Sequence, residues 1–280
     1  MGGFSPLRSR RRLLTVLLLS QVLSAGLLAA QEASGSDGLS LEEKERFLLQ
    51  AEILEIRDVG IGVTRSQRAT LSDGQTTHDA HVQDVDIFEQ MFRAGKASEV
   101  NFRDFWGFNI AAYRLDKLLE LGMVPVSVER KVRGKRSSLT WWVDGVTMSA
   151  QEYREGDRRP PNPVDFTVQR RVGWAFQQLV LNRDPNLGNL LVDENWKAWM
   201  IDFSRAFRMW KQLDDVEPLV SVRRSFYDNL RGLDLEAVER ELGPYLKKGE
   251  LKGLLARRKL LLKHYDGLIK KRGEAAILID

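Results

Sequence analysis

Residues 181–207 read LNRDPNLGNLLVDENWKAWMIDFSRAF, the pattern of a loop, a strand, a turn and a second strand. Asn182-Arg183-Asp184-Pro185-Asn186-Leu187-Gly188-Asn189 has the Asn, Asp, Pro and Gly content of a tight polar loop. Residues 190–192 are a short apolar run and 193–195 a turn. Residues 196–201 alternate large side chains with Lys197 and Ala198, as a short hairpin strand does. Asp202 then stands just past that strand, at the mouth of whatever the hairpin lines. Asp184, Asn189 and Asp202 match what phosphoryl transfer needs. One carboxylate orients an acceptor hydroxyl, and an Asn amide oxygen with a second carboxylate holds magnesium against the phosphates. Asp and Asn also serve any hairpin loop, because their short side chains bond nearby backbone. The weight therefore rests on the whole 27-residue pattern rather than on D-x4-N alone.

The spacing resembles the catalytic loop and metal-binding segment of protein kinases. The wording N-x-D-x-N-x-G-N-L-L followed by I-D-x-x-R-A-F is similar to that of their atypical relatives. Those are the secretory-pathway Golgi kinases related to Four-jointed, the type II phosphatidylinositol 4-kinases and the HipA kinases. The resemblance implies an α+β, two-lobed protein-kinase-like fold, with a small β-rich N-lobe and a helical C-lobe. It implies ATP with magnesium, or manganese, as cofactors. It assigns Asp184 the catalytic role and Asn189 and Asp202 the metal.

Working outward, residues 168–181 predict an apolar helix leading into this loop, and residues 151–163 a polar, Pro-rich loop. Residues 102–121 predict a helix, since Phe108, Ala111, Ala112, Leu115, Leu118 and Leu119 recur at helical spacing and Gly122 and Pro125 follow. Within it, residues 109–125 resemble the corresponding helix and turn of the Golgi and type II lipid kinases. Residues 126–130 and 139–143 predict a strand pair around Arg133-Gly134-Lys135. Ser40 with Glu43 predicts a helix start by a capping box, and strands follow at 53–56 and 76–85.

The same resemblance places a nucleotide-binding set: Gly60 and Gly62 in the lid hairpin, Gln83 and Asn109 at the back of the cleft, and Trp142 in the strap between lobes. Kinases carry Lys and Glu where Gln83 and Asn109 stand. Two amides can bond each other where two charges did, but an amide brings no charge to the phosphates. Arg65, Arg68, Arg93 and Lys96 are the candidates to supply it from elsewhere. As a bare motif, Gly60-x-Gly62 is equally an ordinary hairpin turn, and paired tryptophans are core residues more often than base platforms.

Residues 1–30 order a basic cluster (Arg8, Arg10, Arg11, Arg12), an apolar run and small residues, which is the plan of a signal peptide. The run is 18 residues, so an uncleaved membrane anchor is the alternative. The net charge of +4 comes from those four arginines; without them 39 basic residues face 39 acidic ones, and no nucleic-acid partner is expected. There is no cysteine, which excludes thiol chemistry and disulfides, and the only histidines are His78, His81 and His264. Residues 245–272 hold ten Lys or Arg; this predicts a solvated helical face or contact with an acidic membrane surface.

The expected division is a signal segment at 1–30, a linker at 31–45, an N-lobe at 46–145 and a C-lobe at 146–280. The function expected is that of an exported phosphotransferase (periplasmic, secreted or in a secretory lumen) acting on a protein, sugar or lipid hydroxyl. The alternatives are a kinase-fold protein that binds or regulates without much transfer, and a non-catalytic exported protein with chance resemblance.

Overall fold

A computed structural model describes residues 38–59, 66–94, 97–182 and 186–280. The signal segment, Gly60, Gly62, Arg65, Lys96 and Asp184 lie outside the described residues. The first helix, α1 (Leu41–Gln50), is capped as its sequence predicts: Ser40 Oγ accepts from the Glu43 N–H, and the Glu43 carboxylate accepts from the Ser40 N–H. It begins inside the stretch read as a linker, because Phe47 and Leu48 bury on the sheet beside it. Arg130 fastens its end by donating to the carbonyls of Leu48 and Ala51.

The sheet is antiparallel, in the order β1 (Glu52–Asp58), β2 (Gln67–Ser72), β3 (Thr77–Gln83), β7 (Lys135–Trp141), β6 (Ser127–Val132). Side chains alternate across a strand, so the two faces differ. Ala69, Leu71, Ala80, Val82, Leu139 and Trp141 are buried together on one face. Arg68, Thr70, Asp79, His81 and Gln83 share the other. The β6–β7 turn uses Arg133 and Gly134, both at positive φ, the backbone that two-residue hairpins favour.

Between β3 and the next helix the chain makes a hairpin, β4 (Asp86–Ala94) with β5 (Ala97–Phe105), and only then α2 (Gly107–Leu118). The expected helix start near Phe102 is therefore corrected. Phe102, Phe105 and Phe108 recur every third residue and mimic a helical face, yet 102–105 pairs with β4 as a strand. The hairpin crosses to the C-lobe: Arg103 makes two bonds of 2.9 Å to the Glu250 carboxylate, and Arg208 pairs with Glu99 at 2.6 Å. Its β4 side leaves Phe88 and Met91 exposed.

After the sheet come β8 (Val146–Ser149) and α3 (Ala150–Glu155), which a Ser149–Glu152 capping box starts where a loop was expected. The next helix, α4 (Pro163–Val180), begins earlier than its apolar pattern, with Pro163 in its first turn and Asn162 as cap. β9 (Leu190–Asp193) and β10 (Ala198–Met200) form the predicted hairpin and pair with β8. The second strand is shorter than expected, because Trp196 sits in the turn at φ 61°.

Three helices complete the lobe: α5 (Arg224–Gly232), α6 (Leu235–Leu242) and α7 (Lys248–Arg272), with a small parallel pair, β11 (Val222–Arg223) and β12 (Leu278–Ile279). Lys248 and Gly249 form the first turn of α7, since the Glu250 carboxylate accepts from the Lys247 N–H and seeds the helix there. Along α7 most lysines are exposed, but Arg257 is fully buried and donates to the carbonyls of Leu179, Arg208 and Trp210. Tyr265, read from sequence as helix surface, is also fully buried. No helix among the described residues is long and apolar enough to cross a membrane.

Candidate active site

The stretch 181–207 folds back on itself. α4 ends at Leu181 in the left-handed region (φ 48°), and Phe207, also left-handed, returns its N–H to the Val180 carbonyl at 2.6 Å. Inside that closure, Asn186 caps a single 3-10 turn, Leu187–Asn189, and its Oδ1 accepts from the Gly188 N–H. The Ile201 N–H then donates to the Asn189 carbonyl at 2.9 Å. That one bond sets Asn189 beside the Ile201-Asp202 step, although 12 positions separate Asn189 from Ile201 in sequence. Both Asn189 and Asp202 are half-buried.

Asp202 has φ 56°, an uncommon conformation for a residue with a Cβ, though Asp tolerates it better than most. Local bonds hold it there. Asn182, buried, donates to the Asp202 carbonyl at 3.3 Å, and Ser204 Oγ donates to Asp202 Oδ1 at 3.1 Å.

Above this step, Asn109 of α2 uses both ends of its amide. Its Oδ1 accepts from the Phe203 N–H at 2.8 Å, and its Nδ2 donates to Gln83 Oε1 at 2.7 Å. Gln83 and Asn109 thus lie side by side, buried, and link β3, α2 and the residue after Asp202 in one chain of bonds. Below the sheet, the base of the hairpin holds the next residues. The Phe105 N–H bonds the Ser204 carbonyl, and Arg205 Nε donates to the buried Asp104 carboxylate at 2.9 Å.

Because Gln83 points to Asn109, and so toward Asp202, the face it shares with Arg68, Thr70, Asp79 and His81 is the roof of the cleft. That roof is polar and largely self-satisfied. Asp79 accepts from Thr70 Oγ1 at 2.6 Å and from Arg68 Nε at 2.5 Å. Burial pushes its carboxyl up, and those bonds more than offset it, so the group titrates below the usual carboxylate range. Arg68 also lies 4.2 Å over the Trp142 ring, and the Trp142 N–H donates to the Asp79 carbonyl. His81 bonds Ser66, and burial pushes its imidazole down to about 4.

Three solved structures share this architecture. Hydra Fam20 with sugar superposes with a TM-score of 0.61 at 14% identity, over 85% of this chain and 92% of that one. The Golgi casein kinase with Mn/ADP bound gives 0.60 at 13%, over 85% and 78%. The Helicobacter pylori proinflammatory kinase CtkA gives 0.51 at 11%, over 80% and 98%.

The chain has a Fam20-like atypical-kinase fold.

No protein-family model and no curated protein matches its sequence. In this Fam20-like fold, β3, α2 and the 181–207 stretch bring Gln83, Asn109 and Asp202 together around one junction, with Asn189 beside it. Trp142 stands in the strap with one ring face covered by Arg68. Of the cations considered for the missing lysine, Arg68 is bound to Asp79, and Arg93 is exposed on the hairpin. The three histidines bond separate partners, Asp144, Ser66 and the Leu219 carbonyl. Among the described residues no group of three His, Asp or Glu is placed to hold a metal.

Sequence reading missed Asn182 and Ser204, which hold Asp202, and Ser138, buried within 3.5 Å of the Asn109 amide nitrogen. Asn182 had a signal, since it opens the polar loop. Ser138 had none, because its role depends on strand register.

Proposed function

We propose that the chain is an exported phosphotransferase of the Fam20-like fold, using a nucleoside triphosphate and magnesium or manganese on a protein, sugar or lipid hydroxyl. The observation that supports this reading is the Ile201–Asn189 main-chain bond, which brings Asn189 to the step before Asp202, whose neighbour Phe203 is bonded to the Asn109–Gln83 pair. Their donor chemistry fits a hard divalent cation, which takes oxygen ligands and few protein carboxylates when phosphates supply the rest. Asn189 and Asp202 would hold the ion, and Asp184 would orient the acceptor hydroxyl and take its proton. When bound, the metal would offset phosphate charge that no lysine meets at Gln83. Asn109 holds the Phe203 main chain, next to Asp202, in place. Export rests on the order of residues 1–30, and the lobes divide near residue 145 at the strap that carries Trp142.

A second reading is a binding or regulatory protein that transfers little. The observation that favours it is the roof, where Arg68 is already neutralised by Asp79 and the Lys–Glu pair is two amides. Calorimetry with ATP and magnesium, beside a measurement of ADP release, separates the two. Tight metal-dependent binding with turnover supports transfer, and binding without turnover supports regulation. No binding under either metal would remove both nucleotide readings.

A further inference from the structure

The β4–β5 hairpin has an outer edge that no strand among the described residues pairs, since β4 bonds only to β5. Every residue from 86 to 91 is exposed, and so is Arg93. An open edge strand presents a row of unpaired N–H and C=O groups that can template another strand. Ile87, Phe88 and Met91 lie along this one, with Val100 opposite Met91 on β5, and all four are exposed.

A second edge shows how such a strand is defended. β1 borders the five-stranded sheet, and its register with β2 shifts between Ile53 and Glu55. An irregularity of that kind bends an edge away from a partner. β4 keeps one register with β5 from Asp86 to Ala94 and contains no proline or glycine.

The sequence of β4, DIFEQMFRA, is complementary to itself. Two copies related by a two-fold axis normal to the sheet run antiparallel, and the residue on the axis faces its own copy. With Glu89 on the axis, two carboxylates would meet, which is destabilising. With Gln90 there, Glu89 would face Met91, and Arg93 would face Ile87. With Met91 there, Glu89 of each copy faces Arg93 of the other. Glu89, Met91 and Arg93 point to one side of the strand, so two opposite-charge pairs then flank a Met91–Met91 contact. Among the described residues neither Glu89 nor Arg93 forms an ion pair.

We propose that β4 pairs antiparallel with β4 of a second copy of this chain, centred on Met91, to make a four-stranded sheet in the order β5–β4–β4–β5. The main-chain ladder and the exposed apolar side chains supply the contact, and the Glu89–Arg93 pairs set the register. At its base the hairpin holds the Ser204 carbonyl and Arg205, so this sheet would link the floors of two clefts.

The test is sedimentation velocity on the full chain. A strand pair of this length is a small interface, so a dimer with Kd in the micromolar range is expected across a concentration series. Glu89→Arg and Arg93→Glu should each weaken self-association about tenfold or more, because each sets like charges opposite one another twice. Mixed in equal amounts, the two variants should form a heterodimer of wild-type strength, since every facing pair is again opposite in sign. Glu89→Arg/Arg93→Glu should restore the homodimer for the same reason. If one single variant fails to fold, the other single variant and the double variant decide. A monomer throughout the series, a dimer that the single variants leave intact, or no recovery in the mixture and the double variant would each overturn the proposal. None of these outcomes bears on whether the cleft binds nucleotide.

Discussion

Below the cleft, Asn189 and Asp202 are positioned by main-chain bonds within one stretch of 27 residues. Above it, Gln83, Arg68 and Trp142 come from two strands and the strap, and their polar groups satisfy one another before any ligand arrives. The floor keeps an acidic side chain half-buried in a left-handed conformation, with neighbours that hold it there. The roof holds a neutral amide pair and an internally compensated ion pair. Under the proposed phosphotransfer, a site built this way would find phosphate-binding charge in a metal held by the floor. A kinase with a lysine in the roof divides that charge between the two.

The comparison breaks most plainly at Asp202. If a metal on the floor holds the phosphates, Asp202→Ala should abolish nucleotide binding as well as turnover, because Arg68, the described roof cation considered for the missing lysine, is held by Asp79. Asp184→Ala should spare binding and cost turnover about 10³-fold, since a residue that orients the acceptor acts only in the reaction. Calorimetry and ADP release on both variants decide this. Equal nucleotide affinity in wild type and Asp202→Ala would show that the floor does not hold the metal.

The roof can be sharpened by restoring charge. Gln83→Lys or Asn109→Glu alone should destabilise by about 3–5 kcal/mol, because each buries one unpaired charge. The double variant should recover most of that loss in urea melts and bind nucleotide more tightly than wild type. A double variant no more stable than the worse single one would show that the two positions do not pair as a unit.

Asn109→Ala tests the link between roof and floor. It leaves the buried Phe203 N–H without its acceptor, and a cost of about 1–3 kcal/mol is expected. Turnover should fall with it, as the step before Phe203 loosens, while the metal donors themselves remain. A stability change with wholly unchanged kinetics would separate α2 from the active site.

A smaller effect is expected from pH. Burial holds His81 neutral, with its imidazole pushed down to about 4, whereas in the unfolded chain it protonates near its ordinary value. The unfolded state therefore takes up the proton first as pH falls, and stability should drop between about pH 6.5 and 4. Subtracting the melting curve of His81→Gln isolates this contribution, and a difference that does not vary over that window would refute it. Arg68→Ala, on a half-exposed pair, should cost under about 1 kcal/mol, yet uncover a face of Trp142. Nucleotide affinity that rises in this variant would identify the arginine as an occupant of the base-binding surface.

The sequence alone carried the hairpin of the floor. Its loop, two strands and turn sit within one short stretch, where spacing fixes geometry because few residues separate partner from partner. The capping box at Ser40 and the hairpin turn at Arg133-Gly134 were legible for the same local reason. What escaped was long-range. The hairpin at 86–105 was hidden because its aromatics recur every third residue as a helix's would, and only strand pairing shows otherwise.

The pairing of Gln83 with Asn109 was expected from resemblance. The bond from Asn109 to Phe203, 94 positions away, required the fold. Arg257 reads as one more surface cation in a basic helix, yet packing turns it inward onto three carbonyls. The polar roof depends on which way each strand presents its alternating faces. Composition cannot set that choice. It follows from the burial of Ala69, Leu71, Ala80 and Val82 against the core, which leaves Arg68, Asp79 and His81 facing the cleft.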